Sequence, residues 1–137
     1  MKKIILSIII SSIFILAFAQ DFKIVVNKTN SISTLSKSDI KKIYTGKKKA
    51  WGNGSTIVPI VLKKSPVFGK FLKQAVHKNS SQFNSFWKRA VFTGTGNPPK
   101  EFNSDKDVIK FISQNPHAIG FVSGNSKIGN LKEITLK

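Results

Sequence analysis

Ser65 follows Lys63 and Lys64 and precedes Pro66, a run suited to holding an anion. Serine as cap and proline at the first position mark a helix start. Such a start presents unpaired N–H groups and the positive end of the helix dipole. An oxyanion placed there would meet backbone N–H, hydroxyl and ammonium donors together. A second start of this kind follows the hydroxyl-rich stretch from Thr29 to Ser36, with Thr29 and Ser31 as candidate contacts. Thr93-Gly94-Thr95-Gly96 could fold as a nest of N–H groups around an anion. Lys64, Ser65, Thr29, Ser31, Thr93 and Thr95 are therefore the candidate ligand-binding residues. Plain helix capping also accounts for Ser65, and a simple turn for the Thr-Gly repeat.

Residues for other chemistry are sparse. The chain has 6 acidic residues, 2 His and no Cys. The acids are scattered, and Asp39 and Asp107 fall where helix caps are expected. No Ser-His-Asp order, metal-ligand spacing or phosphate-loop signature is present. Nothing in the spacing of His117 and Ser123 requires them to act together. We therefore expect a non-enzyme without catalytic residues, metal or cofactor. Tyr44, Trp51 and Trp87 could wall a ligand. Trp87 falls on a helical apolar stripe and reads as core, whereas Trp51, between a lysine run and a glycine turn, is more open to a surface role.

The elements that would position these residues follow from pattern. Phe22 to Val26 reads as a buried strand. Asn27 to Thr34 is loop-like, and Ser36-x-x-Asp39 caps a helix with Ile40, Ile43 and Tyr44 on one face and Gly46 at its end. Thr56 to Leu62 is a second strand, and Pro59 within it signals an edge, a bend or a crossover. From Ser65-Pro66 the apolar residues Val67, Phe68, Phe71, Leu72, Ala75 and Val76 form one helical stripe. A further helix runs from about Ser81 to Val91, and Phe92 to Pro99 is a Gly/Thr/Pro loop. Ser104-x-x-Asp107 caps another helix, which Asn115-Pro116 stops. Ala118 to Val122 and Leu131 to Leu136 read as strands. Strands alternating with helices give an α/β class, with a small, partly parallel sheet flanked by helices.

Charge and compartment narrow the partners. Lys2 and Lys3, the apolar run Ile4 to Phe18 and the Ala17-x-Ala19 site form a secretory leader, with cleavage between Ala19 and Gln20. The apolar run is shorter than the roughly 20 residues that span a bilayer. Residues 1–19 are thus read as leader and 20–137 as one domain, periplasmic or secreted. Without cysteine, that domain rests on packing alone. Against the 6 acids stand 23 basic residues, a net charge of +17 that leader removal lowers by 2. Arg89 is the lone arginine, so the field attracts anions generally rather than through bidentate forks. Phosphate-like ions and an anionic envelope surface fit. Nucleic acid is disfavoured by export and by the lack of a recognised motif.

Several segments together carry a resemblance. Leu35 to Lys47 with Trp51, and Ile57 to Val61 with Ser65-Pro66 and Phe71, resemble the phosphate-type (PstS-like) substrate-binding proteins of ABC transporters. Phe86-Trp87, Val91 to Gly96 and Pro98-Pro99 are similar to a motif of their short members, and Asn115 to Val122 resembles their NPGAIGYV strand. The resemblance implies a periplasmic-binding-protein-like lobe (type II), an oxyanion ligand and possible contact with transporter membrane components. By the resemblance, the family's serine at the start of the second-lobe helix maps to Ser65. Short members often carry arginine where Phe68 stands and tyrosine where Phe121 stands, so a bidentate clamp is missing. The reading is an exported, phosphate-type solute-binding domain. Its alternative is a basic module that docks on an anionic polymer, membrane surface or protein without taking a small ligand.

Overall fold

Strands β1 (Phe22–Val26), β2 (Thr34–Leu35), β3 (Val58–Leu62), β4 (Lys100–Phe102), β5 (Ala118–Ser123) and β6 (Lys132–Leu136) form one sheet in the order β2-β6-β1-β5-β3-β4. This computed structural model describes residues 21–137. The leader and cleavage site expected from the sequence lie outside the described residues. β1 is antiparallel to β5 and β6, while the remaining pairings are parallel. Five strands therefore point one way and β1 alone points back. Four helices flank the sheet: α1 (Lys37–Tyr44), α2 (Pro66–Phe71), α3 (Ser80–Phe92) and α4 (Asp105–Gln114).

Consecutive residues of β5 face opposite layers. Gly120 faces α4, and a Cβ there would lie 2.6 Å from Ile60 Cγ1 and 3.1 Å from Ile112 Cδ1. The missing side chain is what lets α4 approach. Phe121 faces the other layer, where Phe71 of α2 stacks on it at 3.9 Å and Tyr44 of α1 meets Phe71 edge-on at 4.9 Å. These rings form the centre of the core.

Pro59 sits inside β3 without breaking the sheet. β4 pairs with β3 only from Ile60 onward, so at Pro59 the strand has β5 on one side and no ladder on the other. The proline occupies a local edge. The stripe from Val67 to Val76 is helical throughout, but Leu72–Val76 widens into a π-helical turn that His77 ends in the left-handed region (φ 58°). Two short strands, β2 and β4, lie where no strand was expected.

Two aromatic expectations are corrected. Trp51 is largely buried, at the wall of a cavity that Thr29 and Ser31 also line. It is 7% exposed, and its indole N–H donates to the His117 carbonyl at 3.0 Å. Tyr44 walls no ligand, since it is fully buried and its hydroxyl donates to the Ile60 carbonyl at 2.9 Å. Burial pushes its phenol far above the ordinary tyrosine range. Trp87 is core as expected, with its N–H on the Tyr44 carbonyl at 3.1 Å.

Candidate functional site

The direction of the strands sorts the candidate residues into two groups. β2, β3 and β4 each lead at their carboxyl ends into a serine-capped helix. Ser36 Oγ accepts the Asp39 N–H at 3.0 Å, Ser65 Oγ the Val67 N–H at 3.2 Å, and Ser104 Oγ the Asp107 N–H at 3.2 Å. Three positive helix ends thus start from one end of the sheet. Two of them already carry their own acids, Asp39 in α1 and Asp105 with Asp107 in α4. The first turn of α2 has none. It is approached through Lys63 and Lys64, both exposed. Lys63 pairs with Glu101 at 2.8 Å, while Lys64 forms no ion pair among the described residues.

The backbone of this turn offers less than the sequence suggests. Pro66 has no N–H, the Val67 N–H is held by Ser65 Oγ, and the Phe68 N–H bonds to the Ser65 carbonyl at 3.0 Å. Contact with an anion here falls to the Ser65 hydroxyl proton, the Lys64 ammonium and the dipole. The Val67 N–H can join only by leaving its cap.

Thr29, Ser31, Thr93 and Thr95 lie at the opposite end. β1 runs against the other strands, so its carboxyl end, with Thr29 and Ser31, sits beside their amino ends. β2 then carries the chain along the sheet edge to Ser36, which is the hydroxyl actually at the start of α1. Thr29 gives its N–H and its hydroxyl proton to Asn27 Oδ1, at 3.0 and 2.8 Å. Thr93 and Thr95 close the carboxyl end of α3. Thr93 Oγ1 donates to the Arg89 carbonyl at 2.8 Å and Thr95 Oγ1 to the Ala90 carbonyl at 3.3 Å. The N–H groups of Thr93, Gly94 and Thr95 all bond to carbonyls of α3, so the loop holds no free nest. It is a helix stop, with Gly94 at φ 69°. Among the described residues, no three His, Asp or Glu side chains gather where they could hold a metal.

No protein-family model matches this sequence, and no curated protein matches it. Solved structures match the fold. An ABC-type phosphate transport receptor from Vibrio cholerae is similar over 85% of this chain and 46% of its own, at 19% identity and a TM-score of 0.59. PstS from Borrelia burgdorferi is similar over 85% and 47%, at 14% identity and a TM-score of 0.63. A chain from Clostridium perfringens solved with bound phosphate is similar over 85% and 44%, at 16% identity and a TM-score of 0.55. This chain has the fold of one periplasmic-binding-protein-like lobe. It spans less than half the length of the receptors it matches.

Two residues of the lobe show how its α2 start differs from the expected ligand-facing pattern. Phe68, where arginine was expected, is core: it meets Phe83 edge-on at 5.8 Å and lies parallel to Phe121 at 6.5 Å. Phe121 is fully buried between Phe71 and Tyr44. Neither can contact an anion. Among the described residues no helix is long and apolar enough to cross a membrane.

Proposed function

We propose that the lobe binds phosphate or a related oxyanion at the start of α2, through Ser65 and Lys64, as a solute-binding protein of the phosphate transport kind working outside the cytoplasm. The observation that carries this reading is the unfilled helix start. Of the three serine-capped starts at the carboxyl end of the sheet, only that of α2 lacks an acid in its first turn. Solved proteins of the same fold are described as phosphate receptors, and one holds phosphate. With one hydroxyl, one exposed ammonium and no arginine, affinity is expected on the order of 1 mM. Contact with transporter membrane components would follow from the same role.

Calorimetric titration of the mature protein with phosphate, at low and physiological salt, tests the site. A saturable one-to-one heat that persists in salt and is lost in Ser65→Ala supports it. Ser65→Ala that binds as well as wild type rejects the assignment.

A second reading rests on the exposed lysines. Ion pairs engage only Lys48, Lys63 and Lys70 among the described residues. A surface this positive favours docking on an anionic polymer or membrane. Binding of that kind falls steeply with salt and ignores Ser65.

A further inference from the structure

Phe92 is 92% exposed and Val91 55% exposed, and these are the exposed large hydrophobic residues among those described. Both end α3, and both line a groove of about 570 Å³ whose floor includes Phe83, Trp87 and Pro99. Apolar side chains left in water beside an apolar groove mark an interaction surface. β4 borders the groove as the outermost strand and, among the described residues, pairs with β3 alone, so its far edge is open there. Its residues alternate. Glu101 lines the groove, while Phe102 turns to α4 and meets Phe111 at 5.1 Å. A segment laid along β4 would therefore put every second side chain against Phe92 and Val91.

Charge selects what lies there. α3 carries Lys88 and Arg89 just before Val91 and Phe92, and it has no acid. Glu101, the one acid lining the groove, is held by Lys63 at 2.8 Å. Lys100 stands on the open edge strand itself, its ammonium 4.7 Å from the centre of the Phe111 ring. Short strands and edge lysines discourage indiscriminate pairing. For an acidic segment, that lysine is a partner instead. A second copy of this chain would bring its own charge of +17 against the same rim.

We propose that the groove between α3 and β4 docks an extended acidic segment of a partner protein. The segment alternates acidic and large apolar residues and adds beside β4, with its apolar side chains on Phe92 and Val91. This surface adjoins the start of α2, since Lys63 and Phe68 also line the groove, but it includes neither Ser65 nor Lys64, and the proposal stands whether or not phosphate binds there.

Fluorescence anisotropy tests it with a labelled synthetic peptide alternating Leu and Glu and a twin alternating Leu and Lys. Phe92→Ser is the informative variant. It leaves net charge unchanged, and at a residue this exposed it does not threaten the fold. The Leu-Glu peptide should bind saturably at physiological salt, the Leu-Lys twin should not, and Phe92→Ser should weaken binding about tenfold or more, as for a central anchor residue. Undiminished binding to Phe92→Ser, or no saturable binding to wild type, overturns the proposal. Sedimentation velocity adds a further outcome: a dimer that Phe92→Ser dissolves assigns the groove to a second copy and also overturns it.

Discussion

At the carboxyl end of the sheet Ser36, Ser65 and Ser104 accept backbone N–H groups. At the amino end Thr45, Thr93 and Thr95 give their protons to the carbonyls of Lys41, Arg89 and Ala90. Both ends are rich in hydroxyls, and the difference lies in which helix terminus each hydroxyl serves. Helix starts are positive and short of acceptors, whereas helix ends are negative and short of donors. An anion gains from the first and is repelled by the second. The comparison teaches that counting Ser and Thr near a loop says little about anion binding until the direction of the adjoining helix is known.

β5 runs between the two ends in the interior of the sheet, and the largest expected effect is there. Gly120→Ala would put a methyl group 2.6 Å from Ile60 Cγ1 and 3.0 Å from Ile60 Cδ1, inside a closed core. Overpacking of this kind costs about 1–3 kcal/mol. Thermal unfolding should show a lower midpoint. An unchanged midpoint would mean that α4 is free to move away from the sheet, and that the two ends are less firmly joined than the packing indicates.

The three caps offer the next test. Ser36→Ala, Ser65→Ala and Ser104→Ala should each lower stability by about 1 kcal/mol, the usual effect of losing a cap. Only Ser65→Ala should also abolish phosphate heat. Asp39 and Asp107 follow the other two caps within the first turn and already meet the positive ends there. If all three variants lose phosphate heat alike, the carboxyl end acts as one diffuse field, and the distinction drawn for α2 fails. At the amino end Thr93→Ala should cost about 0.5 kcal/mol for one exposed hydrogen bond and leave phosphate binding untouched. A loss of binding in that variant would return the Thr-Gly loop to the site.

Much of the fold was legible in the chain. The caps at Ser36, Ser65 and Ser104, the stripe from Val67 to Val76 and the strands around Val25 and Phe121 all follow from local pattern. β2 and β4 were not legible, because two or three residues cannot show alternation and their existence depends on β6 and β3. The π turn at Leu72–Val76 hides because its buried residues fit an α-helical stripe equally well. Trp51 was misread since its acceptor, the His117 carbonyl, is 66 residues away. The proposed site rests on topology as well as on local pattern. Lys64 and Ser65 were visible as a basic run before a capped helix. Thr29 and Ser31 looked adjacent to the α1 start because sequence proximity does not reveal that β2 carries the chain to the other end of the sheet. The empty first turn of α2 was readable too, once compared with Asp39 and Asp107.

The smallest expected effect concerns how firmly α1 fills its own start. Burial alone would push the Asp39 carboxyl up. Hydrogen bonding to Ser36 and the charges of Lys48, at 3.7 Å, and Lys42 outweigh it and hold the group below its ordinary value. A carboxylate depressed in the folded state contributes stability above its unfolded pKa of about 3.9 and loses it as pH falls through the folded value. The urea midpoint should therefore decline below about pH 4, and Asp39→Asn should decline less because it has no such proton to take up. The pair is partly solvated, with a third of each side chain exposed, so salt should shrink the difference. Equal declines in the two proteins would show that Asp39 does not hold the α1 start as an anion. That start would then be as open to an external oxyanion as the start of α2, and the preference for Ser65 would lose its physical basis.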